Sequence, residues 1–373
     1  MKICYLASAG SIHVAKWANH FNRKGNRVEI LTFEPARDVE PGIVTRVLGE
    51  KRPLKMHYFW FGAEVRRLVR QIKPDILHAH YASGYGTLGR FANFHPYIVS
   101  VWGTDIFDFP MKSPFHRRLL KMNLRCADRV CSTSQVMADE ACRYCELPVS
   151  VTPFGVDCGR FRPFRTAGSQ FDDFVVGIVK TLEPQYGIEY LIRGFALAVK
   201  RSHLRRKMRL IIAGEGSLRK SLQTLTQDLA IDHSTEFLGF VPHDKVPELL
   251  GGFSIFVVPS VQPESFGVAA VEASACGLPV VASRIGGLSE VVKDRVTGIL
   301  VPPRDIEALA DAFEEFAGNE SLRRSFGAAG RDFVLQHYEW SENACRMERL
   351  YASLLHNDSK KAAMSVGRSW AST

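Results

Sequence analysis

Residues 263–283 read PESFGVAAVEASACGLPVVAS, and they follow the run SIFVVPS at 254–260. That run is continuously apolar and β-branched, the mark of a strand buried on both faces. Glu264 comes just after it, at the strand's carboxyl end, and Ser265-Phe266-Gly267-Val268 opens a helix of Ala, Val, Ser and Cys. Gly277 stands where that helix stops, and Pro279 starts the return to a strand, LPVVASR. Free amides at a helix N-terminus, with a glycine that allows close approach, make a site for phosphate. Beside it Glu264 can accept hydrogen bonds only from donors such as sugar hydroxyls. Glu272 is the only charge on an otherwise apolar helix, costly there unless something hydrogen-bonds it. Two vicinal ribose hydroxyls would do so. From these residues alone, a capped helix with Glu272 buried against an arginine reads equally well.

The same strand–helix–strand pattern extends in both directions. KICYLA, RVEILTF, DILHAHY, YIVSVWG, RVCSTS and VSVTPF lie between residues 2 and 154; FVVGIVK, RLIIAGEG, STEFLGF, SIFVVPS, LPVVASR and GILVPP lie between 174 and 303. Helix-length segments such as VAKWANHFNRKG and GIEYLIRGFALAVKR separate them. Such alternation implies right-handed βαβ units and doubly wound parallel sheets. It occurs twice, broken by the Gly-, Arg- and Pro-rich stretch at 155–173, which reads as a linker. The expected organisation is an N-terminal Rossmann-like domain over 1–160 and a second over 161–340. A helix over 341–355 is expected to pack back toward the first domain, and a polar tail covers 356–373. Two such sheets facing each other leave a cleft at the carboxyl ends of their strands, where ligands bind in open α/β sheets.

Composition agrees with a two-domain globular chain: 373 residues, 46% hydrophobic and 23% charged, too long for one ordinary core. No apolar run approaches the roughly 20 residues needed to span a bilayer. The start, MKICYLASAGSIH, carries about six apolar residues, fewer than the h-region of a signal peptide, and is read as a first strand of a cytoplasmic protein. The eight cysteines are scattered and read as reduced thiols. Cys142 and Cys145 have C-x-x-C spacing, but they sit in a helical pattern without a second such pair, so no metal site is expected. The net charge of +9 is concentrated at the front: residues 1–165 hold 25 Lys and Arg against 14 Asp and Glu, whereas the rest hold 23 against 25. A basic half joined to a near-neutral half suggests that one domain meets something anionic.

The two glutamates separated by seven residues, in P-E-S-F-G-x-x-x-x-E-A-x-A-C-G-x-P-V-V-A, resemble the E-x7-E signature of family-four retaining glycosyltransferases of GT-B fold. RLIIAGEG resembles that family's third strand and Gly-rich turn, EFLGFVP its base-binding turn, GGLSEVVKDRVTGILVPP the stretch after the second glutamate, and PFGVDCGRFRP its interdomain turn. The resemblance implies an acceptor-binding first domain and a second that binds a nucleoside-diphosphate sugar, with no metal and no resident cofactor. It implies that Glu264 holds the donor sugar, the amides around Phe266-Gly267-Val268 its phosphate, and Glu272 the ribose. Gly214, Glu215 and Leu238 fall in the two turns that flank the donor. Lys180, at the end of FVVGIVK, resembles the basic residue that neutralises the diphosphate as the sugar–phosphate bond breaks; without Mg²⁺ that charge needs a cation. A solvated lysine at a strand end is the bland alternative. The family's second lysine is replaced here by Tyr186, with Gln185 and Arg284 as candidate substitutes.

In the front half, Gly10 resembles the family's glycine that lets backbone approach the donor phosphate. Trp102 stands where the family commonly has histidine. Asp105 is expected either to orient an acceptor hydroxyl, as a catalytic residue, or to cap a helix. His13, His78 and His80 are either acceptor contacts or satisfied core histidines. The helix PFHRRLLKMNLRCA presents Arg117, Lys121 and Arg125 at i, i+4 and i+8 among Phe115, Leu119, Leu120 and Met122, and with Arg66, Arg67, Arg70 and Lys73 it suits anionic lipid. No nucleic-acid module is present. The resulting expectation is a retaining transferase of hexose or N-acetylhexosamine. It would act on a lipid-linked glycan in polysaccharide biosynthesis, at the cytoplasmic face of a membrane. A nucleotide-sugar epimerase of the same fold and a non-catalytic scaffold are the alternatives.

Overall fold

The computed structural model describes residues 1–49, 57–163, 173–201 and 207–369, with side chains through His356 apart from His57. The chain divides into two units, Met1–Pro153 with Glu342–Thr373, and Phe154–Ser341. The first unit holds strands β1 (Lys2–Leu6), β2 (Arg27–Thr32), β3 (Val44–Val47), β4 (Ile76–His80), β5 (Tyr97–Val101), β6 (Arg129–Ser132) and β7 (Val149–Val151). They form one parallel sheet in the order β3-β2-β1-β4-β5-β6-β7. Every residue of β4 and β5 is buried, as their unbroken apolar runs require when helices cover both faces. The six runs read from the sequence are all strands. β3 was not among them: VTRV is a short, largely exposed edge strand with no apolar run to betray it.

The last helix, Trp340–Ser369, belongs to this unit from Glu342 onward. Ala344, Met347, Tyr351 and Leu354 recur at helical spacing and are buried. Tyr351 stacks on Phe21 at 4.9 Å, and its hydroxyl meets His78 Nδ1 at 2.6 Å. The helix continues past Leu355 to Ser369, so the polar tail expected over 356–373 is helical where it is described.

The second unit holds β8 (Phe174–Val179), β9 (Met208–Ala213), β10 (Thr235–Gly239), β11 (Ile255–Val258), β12 (Val280–Ser283) and β13 (Gly298–Val301). Their order, β10-β9-β8-β11-β12-β13, is all parallel and is that of a Rossmann sheet. Helices Ile188–Arg201 and Ile306–Gly318 pack together over one face, where Phe195, Phe313 and Phe316 are fully buried. Each such ring contributes about 1.5–3 kcal/mol of burial. Two Rossmann-like doubly wound domains are therefore the architecture. The stretch expected to be a linker is partly built into the second unit: Val156 bridges Glu339, and Cys158 and Phe161 are buried. Residues 164–172 of that stretch lie outside the described residues. No helix among the described residues is long and apolar enough to cross a membrane.

Candidate functional site

In the second unit the strand order reverses between β8 and β11, so the chain leaves these neighbours in opposite directions and opens a crevice at their carboxyl ends. Lys180 follows β8 directly, and Glu264 lies in the loop after β11. The Lys180 ammonium stands 3.0 Å from each carboxylate oxygen of Glu264. The two side chains are 19% and 11% exposed, so the pair is sheltered yet reachable. Ser260 donates a hydrogen bond to Glu264, and the Lys180 ammonium also lies 4.3 Å from the centre of the Tyr186 ring. Where a second lysine was missing from the sequence pattern, an aromatic face supports the first one. Arg284, a candidate substitute, is held by Asp294 and the Leu300 carbonyl.

The helix Val268–Ala275 starts beside this loop. Its N-cap, Gly267, has φ +95°, and no side chain caps the helix. Gly267 is required twice over: an L side chain is strained at that φ, and a Cβ would sit 2.7 Å from Leu288. Phe266 is buried, edge-on to Tyr338 and Phe154, so its ring anchors the turn and only its backbone is available. Uncapped first-turn amides are donors with no helical acceptor, and the helix dipole adds positive potential there. Val268 is half-buried at the first helical position.

Glu272 lies one turn further on, with its side chain 13% exposed. No arginine among the described residues pairs with it; His243, from the turn after β10, approaches it with Nε2 at 2.8 Å. Gly214, after β9, has φ +143°, and a Cβ there would be 1.8 Å from the Lys180 carbonyl. This glycine lets the ends of β8 and β9 close up behind the lysine. Glu215 is exposed and ion-paired with Arg219, and Leu238 is exposed at the end of β10 beside the still more exposed Phe240. The structure thus gathers Lys180, Gly214, Glu264 and the helix start at one sheet edge, with Glu272 one turn along the helix. Glu215 and Leu238 lie at the neighbouring strand ends. His243 and Ser260 carried no signal in the sequence, because isolated residues in turns have no periodicity to mark them.

In the first unit, Gly10 lies between β1 and the helix Ile12–Arg23, with Glu34 close enough that a Cβ would be 3.1 Å from its carboxylate. Asp105 does not fit the catalytic role expected of it. It is 1% exposed, and its carboxylate accepts from the amides of Ala82 at 2.7 Å, Trp102 at 3.0 Å and Gly103 at 2.8 Å. Burial pushes its pKa up, and these amides oppose the rise. It ties the loop after β4 to the loop after β5, with both oxygens engaged by backbone amides. Nor is it the helix cap, since Gly103 holds that position.

His78 is a core histidine, mid-strand, bonded to Tyr351 and to Ser100 at 2.8 Å; burial pushes its pKa down to about 3. His80 is also buried, its ring tilted against Trp102 with centroids 4.5 Å apart, and no described residue hydrogen-bonds its Nδ1. His13 meets the edge of Trp102 at 6.1 Å. Of the helix Pro114–Arg125, Leu119 and Leu120 face the core, and the outward apolar groups are Phe115 and, just before it, Met111. Met111, Pro110, Arg117, Arg118 and Lys121 line a groove of about 370 Å³. Cys142 ends its helix exposed, while Cys145 is buried.

A cation–carboxylate pair at a switch point, next to free helix amides, suits a ligand that carries both phosphate and hydroxyls. Comparison with known proteins gives this chemistry a family. Residues 163–333 match the family described as glycosyl transferases group 1, and residues 2–134 match glycosyl transferase 4-like. A D-inositol 3-phosphate glycosyltransferase of Actinosynnema mirum is 30% identical over 359 residues, covering 86% of each chain. Among solved structures, a sucrose-phosphate synthase from Thermosynechococcus elongatus superposes with a TM-score of 0.83 at 22% identity, covering 96% of this chain and all of that one. Anabaena HepE in complex with UDP gives 0.81 at 20% identity, covering 95% and all. The chain belongs to the family-four-like glycosyltransferases, hexose-transferring enzymes of GT-B fold.

Proposed function

We propose that the enzyme moves a hexosyl group from a nucleoside-diphosphate sugar to an acceptor hydroxyl, with retention at the anomeric carbon. The unit Phe154–Ser341 would be the donor half, and the first unit, Met1–Pro153 with the last helix from Glu342, the acceptor half. The observation that carries the reading is the Lys180–Glu264 pair, 3.0 Å apart at the carboxyl ends of β8 and β11 and flanked by an uncapped helix start. An arriving diphosphate competes with Glu264 for the Lys180 ammonium, and the amides of Gly267 and Val268 take a share of its charge. Glu264, kept in place by Ser260, is then free to accept from sugar hydroxyls. As the sugar–phosphate bond breaks, negative charge grows on the leaving phosphate, and a fixed ammonium and helix dipole stabilise it more than they stabilise the intact donor. Glu264 is engaged with the sugar and Asp105 is buried, so neither is assigned as nucleophile. We assign same-face attack, in which the acceptor hydroxyl bonds to the anomeric carbon and passes its proton to the departing phosphate oxygen.

The charge excess of residues 1–165 supports an acceptor that carries phosphate, and the basic groove around Arg117 and Lys121 supports peripheral contact with an anionic membrane face on the cytoplasmic side. A lipid-linked diphosphate glycan of polysaccharide assembly meets both conditions. A second reading, a soluble phosphorylated polyol, is favoured by the D-inositol 3-phosphate named for the Actinosynnema relative.

A thermal-shift panel of UDP-, GDP- and ADP-sugars tests the donor assignment, since a true donor stabilises the fold by mass action. One of these sugars is expected to raise Tm by several degrees, and turnover with it is then compared on polyprenyl-diphosphate glycan in vesicles and on D-inositol 3-phosphate. NMR of the product reads the anomeric configuration. A panel without any shift removes the donor reading, and an inverted product removes same-face attack.

A further inference from the structure

Glu272 is an incompletely used carboxylate. Its Oε1 takes one hydrogen bond, from His243, and no hydrogen bond from a described residue reaches Oε2, although the side chain is only 13% exposed. A sheltered carboxylate with one donor is poorly satisfied by the protein itself, and its free oxygen is directed by whatever holds the bonded one.

His243 is in turn held from behind. The Arg160 guanidinium donates to the His243 carbonyl at 2.6 Å and faces its Nδ1 at 3.4 Å. Because a guanidinium has only donors, Nδ1 is the accepting nitrogen and Nε2 carries the proton toward Glu272. The ring leans on Phe161, centroids 5.4 Å apart. Asp157 fixes the turn that brings Arg160 here, accepting from the amides of Gly159 and Arg160. Three segments distant in sequence thus converge to fix the rotamer of one carboxylate.

We infer that His243, held by Arg160, is a positioning residue that orients Glu272 so that its second oxygen accepts from the ribose hydroxyls of the donor nucleotide. The inference rests on the proposed function, in which Glu272 meets that ribose. In this reading His243 acts through Glu272 and does not contact the reacting sugar or the phosphate. Its loss therefore affects how well the enzyme distinguishes a ribonucleotide from one without hydroxyls, and it leaves the chemical step alone.

The test uses the full-length enzyme and isothermal calorimetry with UDP and GDP against their 2′,3′-dideoxy forms. Hydrogen bonds to a charged group differ from their absence by roughly 10- to 100-fold in affinity. Wild type is expected to prefer the ribonucleotide by about that factor, and Glu272→Ala to abolish the preference. His243→Ala is expected to cut the preference about tenfold. His243→Gln, which retains an N–H at similar reach, should keep it within about twofold to threefold of wild type. In turnover assays His243→Ala should raise donor KM with kcat within about twofold. Arg160→Ala, which leaves the histidine in place but unheld, should give an intermediate loss.

If Glu272→Ala abolishes the preference and His243→Ala leaves it whole, the positioning role is overturned while the ribose reading stands. If Glu272→Ala changes nothing, or wild type shows no preference, the ribose reading fails and the inference falls with it. A matching loss in His243→Gln would also overturn it, because a role independent of the N–H would then explain the effect.

Discussion

Lys180 has two neighbours with opposite consequences: Glu264 neutralises it, and the Tyr186 face supports it without neutralising it. In the proposed mechanism a leaving diphosphate would outcompete a single carboxylate for the ammonium, because it brings more charge. Lys180→Ala is expected to lower turnover about a hundredfold or more, in line with other charge-stabilising groups, as read from initial rates at saturating donor. Unchanged turnover removes this lysine from the mechanism. His78 shows a different use of a titratable side chain. Its pKa is about 3 in the fold against an ordinary 6.5, so between these values the unfolded chain binds the extra proton. Stability contributed by the neutral ring is therefore complete above about pH 6.5 and is lost as pH falls toward 3, by at most about 1.4 kcal/mol per pH unit per proton. Melting temperatures from pH 7 to 4 should fall less steeply in His78→Asn than in wild type; parallel acid limbs would show that this ring is not responsible.

At the level of elements, the site depends on where strands stop. β8 ends at Val179 and β11 at Val258, neighbours whose chains leave in opposite directions, and that divergence sets the ammonium, the carboxylate and the helix start at one edge. The helix can begin there because Gly267 turns the backbone at φ +95° under Leu288. Gly267→Val adds strain at that φ and a contact at 2.7 Å, together about 1–3 kcal/mol or more. Denaturant unfolding should detect that loss, and donor KM should rise because the amide array is displaced. An unchanged midpoint would mean that the turn relaxes freely. In the first unit Asp105 does comparable work, joining the loops after β4 and β5 through three backbone amides.

Across the whole molecule the dominant asymmetry is electrostatic: residues 1–165 carry a net +11 and the remainder a net −2. Arg117 and Lys121 line a groove beside the exposed Met111 and Phe115, a combination suited to anionic headgroups. The enzyme is expected to sediment with vesicles containing anionic lipid at low salt and to leave them as salt rises. Reversing both Arg117 and Lys121 to glutamate should weaken binding tenfold or more, since each basic residue near the surface contributes about 1 kcal/mol. Equal binding to neutral vesicles, or no effect of the double reversal, would assign the charge excess to the acceptor alone.

Twelve of the thirteen strands among the described residues, both sheets, and the placement of Lys180 and Glu264 after strands and of Glu272 on a helix were legible in the sequence, because buried parallel strands and helix starts depend on local composition and spacing. β3 escaped because an exposed edge strand has no apolar pattern. Only the tertiary structure decided the partners. It paired Lys180 with Glu264, gave Glu272 a histidine in place of an arginine, and buried Asp105 under three amides. It also assigned His78 to the core. Apart from the amides of Trp102 and Gly103 on Asp105, these outcomes depend on contacts between segments tens or hundreds of residues apart, and short-range patterns in a chain record which element a residue joins but not which side chain it will meet.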